Sequence, residues 1–148
     1  MSGQFEATTE INRPIEEVFA FLAAGTNDPK FSPRVQAITK TPEGPTAVGT
    51  IFTSTVKDAG MKTGRKFRIT EFEAPRRIRW TEVSKNTVTA DEGGYDLEST
   101  GDRTTRVRIY NVLEGHGIGK LLVSLALSAA RKDANAFGQR IKAAVEAS

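Results

Sequence analysis

Two periodicities divide the chain. Up to residue 113 most segments alternate apolar and polar residues, the period of a strand with one wet face. The run 115–148 instead repeats apolar residues at steps of three and four and contains no Pro. Its stripe reads Ile118, Leu121, Leu122, Leu125, Ala129, Ala136, Phe137, Ile141 and Ala144, which predicts one amphipathic helix roughly 45–50 Å long. A helix of that length must lie across a broad surface that covers its stripe, and the preceding strands supply one.

The first strand is predicted from Phe5, Ala7, Thr9 and Ile11, which alternate with Gln4, Glu6, Thr8 and Glu10. Asn12 is expected to cap a short helix with Pro14 in its first turn and Glu16 and Glu17 at the favourable end of its dipole. Ile15, Val18, Phe19 and Leu22 give that helix an apolar face, and Gly25 closes it. Residues 27–33, with Pro29 and Pro33, read as a turn or a second short helix. Strands are then predicted over 35–41, 49–57, 61–73, 77–83, 88–100 and 104–113, with a bulge or bend at Gly93-Gly94. Strands in series with short turns pair as an antiparallel meander.

Composition narrows the function classes. A length of 148 residues suits a single domain over 1–148, and 38% hydrophobic residues are enough for a packed core. The net charge of +3 is too mild, and the charges too mixed, for a nucleic-acid footprint. The absence of Cys excludes disulfides, thiolate zinc sites and a thiol nucleophile. One His, without Cys, leaves no metal set, so no metal or cofactor is expected. The polar N-terminus and an apolar stretch at 118–130 too short to span a bilayer lead to the expectation of a cytoplasmic protein with no integral membrane segment. The glycines around His116 lack both the Walker A register and the GxGxxG spacing, which argues against nucleotide binding.

Three stretches carry a resemblance. Phe5-x-x-Thr8-x-x-Ile11-x-x-Pro14-x-x-x-Val18-Phe19, the segment from Arg68 through Ala74-Pro75-Arg76 to Trp80, and Thr105-Arg106-Val107-Arg108-Ile109 before a glycine-rich helix entry resemble the START-like (SRPBCC) superfamily. Its members include polyketide cyclases and aromatases, lipid-transfer domains and Hsp90-activator-like domains. The resemblance implies an α+β helix-grip fold, in which a curved antiparallel sheet wraps a long C-terminal helix and encloses a cavity for an apolar ligand.

Strand parity then nominates the lining of that cavity. Phe67, Ile69, Trp80, Tyr95, Val107, Ile109 and Asn111 are expected to face it from the strands, and Leu122 and Leu125 from the helix. Glu71 and Glu82 fall on the same inward parity and are acid–base candidates, as is the single His, His116. Three functions follow. The leading one is binding of a small hydrophobic or aromatic molecule, polyketide-, lipid- or isoprenoid-like. The second is a polyketide cyclase, aromatase or dehydratase. The third is a protein-interaction module like the Hsp90-activator or quinone-chaperone members, using an outer row of Lys66, Arg68, Arg77, Arg79, Arg106 and Arg108. A homodimer is an open assembly state.

Overall fold

The computed structural model describes residues 2–58 and 60–148. Seven antiparallel strands form one sheet: β1 (Ser2–Ile11), β2 (Val35–Thr41), β3 (Ile51–Asp58), β4 (Met61–Glu73), β5 (Arg77–Glu82), β6 (Val88–Gly101) and β7 (Thr104–Gly115). Their order across the sheet is β1-β7-β6-β5-β4-β3-β2, so β2 to β7 run as a meander and β1 closes on the last strand. Helix α1 (Ile15–Ala23) and a 3₁₀ turn (Asp28–Lys30) lie between β1 and β2. Helix α2 (Gly119–Glu146), 28 residues and about 42 Å long, follows β7. This is the helix-grip arrangement.

The concave face carries the predicted parity on most strands. Ala7, Thr9 and Ile11 of β1, Ile78 of β5, Tyr95 and Leu97 of β6, and Val107 and Ile109 of β7 are all buried. Val18, Phe19 and Leu22 of α1 and Ile141 and Val145 of α2 complete the core with them. Phe72 meets Phe19 edge-on at 5.3 Å.

Four local expectations are corrected. A bulge in β4 shifts the register between Ile69 and Glu71, so Phe72 turns inward opposite Ile78 and Glu71 turns outward opposite Arg79. Glu71 there pairs with Arg77 at 3.3 Å on the convex face. The bulges of β6 lie between Ala90 and Glu92 and between Ser99 and Gly101, while Gly93 and Gly94 pair regularly with Asn111 and Tyr110. Asn12 does not cap α1, whose N-cap is Pro14. Its backbone N–H instead donates to Glu146 Oε2 at 2.8 Å, and Arg13 donates to the Glu146 carbonyl at 2.6 Å, which fastens the end of α2 to the loop after β1.

The fourth concerns the rotation of α2. Its buried positions are Gly119, Val123, Leu127, Gly138, Ile141 and Val145. Gly119 lies so close to the β5–β6 connection that a Cβ would stand 1.7 Å from the Thr87 carbonyl oxygen. Gly119 thus lies on the same buried stripe as Val123, Leu127, Ile141 and Val145. Leu121 and Leu125 follow Gly119 and Val123 by two residues, about 200° around the helix. They therefore stand in solvent, 81% and 69% exposed, with Ile118 at 66% and Leu122 at 40%.

Candidate functional site

Two halves of the concave face differ. Beneath α1 and the end of α2, Ile69, Tyr95, Val107 and Ile109 belong to the packed core. Toward the start of α2, Phe5, Phe67, Trp80, Asn111 and Leu113 share the inward register but are only half-buried. These are the inward side chains that keep solvent contact. Leu122 and Leu125, expected to line the cavity from α2, are exposed.

Trp80 and Asn111 meet across β6. The indole Nε1 donates to Asn111 Oδ1 at 3.0 Å, and the Trp80 ring stands edge-on to Tyr95 at 5.2 Å. Gly93 separates the two side chains in the ladder. A Cβ there would lie 2.1 Å from Asn111 Oδ1 and 2.3 Å from Trp80 Nε1. Gly93→Ala should therefore break this hydrogen bond, shift the emission of the only tryptophan and cost ~1–3 kcal/mol in a urea melt. Unchanged emission and stability would contradict this geometry.

Three polar groups of this face have no hydrogen-bond partner among the described residues: Nδ2 of Asn111, the Tyr95 hydroxyl and the Asp28 carboxyl. Every fully buried side-chain N or O among the described residues has a partner, so these three tips keep at least a little accessible surface. Asp28 opens the 3₁₀ turn. That turn is pinned from below by Phe31, which packs edge-on to Phe137 of α2 at 5.9 Å and whose carbonyl accepts from Arg140 at 3.1 Å. Although the residue keeps some surface, protein surrounds its carboxyl. Desolvation raises the Asp28 pKa to about 7. Burial first and the charge of Asp28 second push the Tyr95 phenol well above its ordinary value. Asp28 was not among the sequence candidates. A carboxylate between Asn27 and Pro29 reads as a solvated turn, and nothing in the local pattern signals its burial near Tyr95.

Glu82 does face inward, but its capacity as an acceptor is used. Arg65 Nη1 lies 3.0 Å from both carboxylate oxygens. Ser84 donates at 2.7 Å, Asn86 at 2.8 Å and the Ala90 backbone N–H at 2.9 Å. Arg65 also donates to the Val88 carbonyl at 3.2 Å. The cluster clamps the β5–β6 connection to β4 and leaves no lone pair aimed at a ligand. His116 is exposed and off the concave face. Thr89 has one hydroxyl proton and donates it to Asp91 Oδ1 at 2.6 Å, so the 2.7 Å contact between Thr89 and His116 Nε2 has the imidazole as donor.

The convex face is an ionic lattice. Asp96 takes Arg79 at 2.8 Å, Arg108 at 3.0 Å and Arg77 at 3.5 Å. Burial works to raise the Asp96 carboxyl, but the hydrogen bonds and charges of Arg79 and Arg108 outweigh it and hold the group below its ordinary value. Arg106 pairs with Glu10 and Glu98, and Arg108 also with Glu6. Tyr110 lies between the guanidiniums of Arg79 and Arg108 at 5.0 and 4.5 Å. Of the six cations expected to form a free basic row, four are neutralised in place.

Comparison with known proteins agrees with this architecture. The family model described as polyketide cyclase / dehydrase and lipid transport matches residues 2–146. No curated protein sequence matches. Among solved structures, a Thermus thermophilus protein aligns at TM-score 0.78 and 17% identity, covering 98% of each chain. The Zhui aromatase/cyclase from Streptomyces sp. R1128 aligns at 0.75 and 15%, covering 98% of this chain and 92% of that one. A START superfamily protein from Mycobacterium smegmatis aligns at 0.74 and 13%, covering 97% of both. At these identities the likeness concerns the fold alone.

Proposed function

The chain belongs to the polyketide cyclase / dehydrase and lipid transport family, and from that premise we propose that it binds a small hydrophobic or aromatic molecule, polyketide-, lipid- or isoprenoid-like, in the open half of the concave face. The observation that carries this reading is the inward, half-buried set Phe67, Trp80 and Asn111, where Asn111 Oδ1 accepts from Trp80 and its Nδ2 has no partner among the described residues. Apolar burial against Phe67 and Trp80 supplies affinity at about 25 cal/mol per Å² before ordering costs. The polar tips fix orientation, as a few convergent groups do in an apolar pocket. Asn111 Nδ2 suits a ligand carbonyl.

The Asp28 carboxyl favours a second reading, an enzyme of the cyclase or dehydratase type. A carboxyl that titrates near neutrality can take a proton and return it. On a poly-carbonyl chain, Asp28 would remove a proton from the carbon between two carbonyls. The resulting enolate attacks another carbonyl of the same chain, forming the C–C bond, and the alkoxide so formed recovers the proton. Loss of water then gives the ring double bond.

Native mass spectrometry of the purified protein, followed by titration of Trp80 fluorescence with a hydroxyanthraquinone, palmitate and a short isoprenoid quinone, tests the binding reading. A co-purifying apolar molecule or saturable quenching is expected, weakened about tenfold in Asn111→Ala. An empty protein whose emission ignores all three probes would remove this reading. Asp28→Asn separates the two: a binder keeps its affinity and has no turnover to lose, whereas an enzyme keeps affinity and loses turnover.

A further inference from the structure

Six of the seven large apolar side chains that stand exposed among the described residues collect at one end of the molecule: Met61, Val83, Ile118, Leu121, Leu122 and Leu125. Three segments meet there around an open groove of about 630 Å³, lined among others by Thr63 of β4, Lys85 of the β5–β6 connection and Ile118 at the entry to α2. The same segments are devoid of acid. Residues 59–70, 83–90 and 115–132 contain no Asp or Glu, yet hold Lys62, Lys85 and Lys120 beside the exposed apolar positions. All three lysines are exposed. Of the carboxylates bordering these segments, Glu82 is committed to Arg65 and Asp91 accepts from Thr89, while Asp58 lies opposite Met61 in the β3–β4 ladder.

We propose that this end is a docking surface for an anionic lipid membrane, with Leu121 and Leu125 entering the boundary between headgroups and acyl chains and Lys62, Lys85 and Lys120 contacting the acidic headgroups. Protruding leucines on a helix flanked by cations are the pattern of an interfacial segment. Charge decides between this occupant and a second copy of the chain. A two-fold interface would set this patch, with Lys62, Lys85 and Lys120 exposed, against itself, lysine near lysine, in segments that carry no acid of their own. An anionic surface instead attracts every basic residue of the patch. The proposal concerns the outside of the molecule and does not depend on a ligand in the concavity.

The test is flotation of the full chain with vesicles of phosphatidylcholine containing about a third phosphatidylglycerol, against phosphatidylcholine alone. Binding to the anionic vesicles is expected, at least tenfold weaker on neutral ones and decreasing with salt. The double variant Leu121→Ser/Leu125→Ser should lose a further tenfold or more. Lys85→Gln/Lys120→Gln should lose about fivefold per lysine. All four positions are exposed, so both variants should keep the wild-type thermal midpoint and the wild-type response of Trp80 to apolar probes. No flotation, or flotation undiminished in the leucine variant, would overturn the proposal. So would a wild-type dimer in sedimentation that the leucine variant converts to a monomer, since that assigns the surface to a second copy.

Discussion

Asp28→Asn is expected to stabilise the protein at pH 8 by about 3–4 kcal/mol and to leave it unchanged below pH 4. The group titrates at about 7 in the folded protein and at 3.8 when solvated. Between those values the unfolded chain releases the Asp28 proton and the folded chain keeps it. The unfolded state therefore binds fewer protons, and stability falls as pH rises through this window. Below 3.8 the carboxyl is neutral in both states and imposes no penalty. Above 7 it is ionised in both, and the folded state bears the whole cost of a desolvated charge, roughly 1.36 kcal/mol per unit. Asparagine keeps the shape without the charge. Urea melts of both proteins from pH 4 to 9 should show curves that separate across this interval and then run parallel. A constant offset, or a gap that opens toward acid, would place the Asp28 carboxyl in solvent.

Glu82→Ala should have the opposite sign and a similar size, a loss of about 2–4 kcal/mol at neutral pH. The carboxylate is sealed from solvent, and its removal strands the Arg65 guanidinium, the Ser84 hydroxyl, the Asn86 amide and the Ala90 N–H together. Breaking a buried pair costs more than the pair itself contributes, because the remaining partner stays desolvated. Arg65 retains 24% side-chain exposure, which keeps the loss from reaching the top of the usual range. Arg65→Met/Glu82→Met should recover much of the loss, since no charge is then left behind. A double-mutant cycle measures this directly. Hydrogen exchange at the Ala90 amide should accelerate in Glu82→Ala, because the carboxylate holds the connection against β4. Wild-type stability in the single variant would mean that Arg65 finds solvent at no cost.

Much of the fold is legible in local pattern because strand parity and helix period are local properties. The alternation through Phe5 to Ile11, the turn residues at each hairpin and the long Pro-free run predict the strands, their meander and α2, whereas the pairing of β1 with β7 is tertiary. They also place Trp80, Tyr95, Ile109 and Asn111 on one face. Three things depended on contacts distant in sequence. A bulge between Ile69 and Glu71 reversed parity in mid-strand and moved Glu71 to the convex face. No residue type in that stretch announces it. The rotation of α2, with Gly119 in close approach to Thr87, was another. A helix with apolar residues on more than one stripe does not say which stripe is buried; the burial of Val123, Leu127, Ile141 and Val145 together with that contact left Leu121 and Leu125 outside. The burial of Asp28 arose in a turn that is polar in sequence and that tertiary packing holds against α2, where Phe31 meets Phe137 and Arg140. Pattern determined which residues share a strand face or a helix stripe. Tertiary packing alone decided which of them desolvate a charge, because desolvation depends on every neighbour in space and periodicity records only neighbours along the chain.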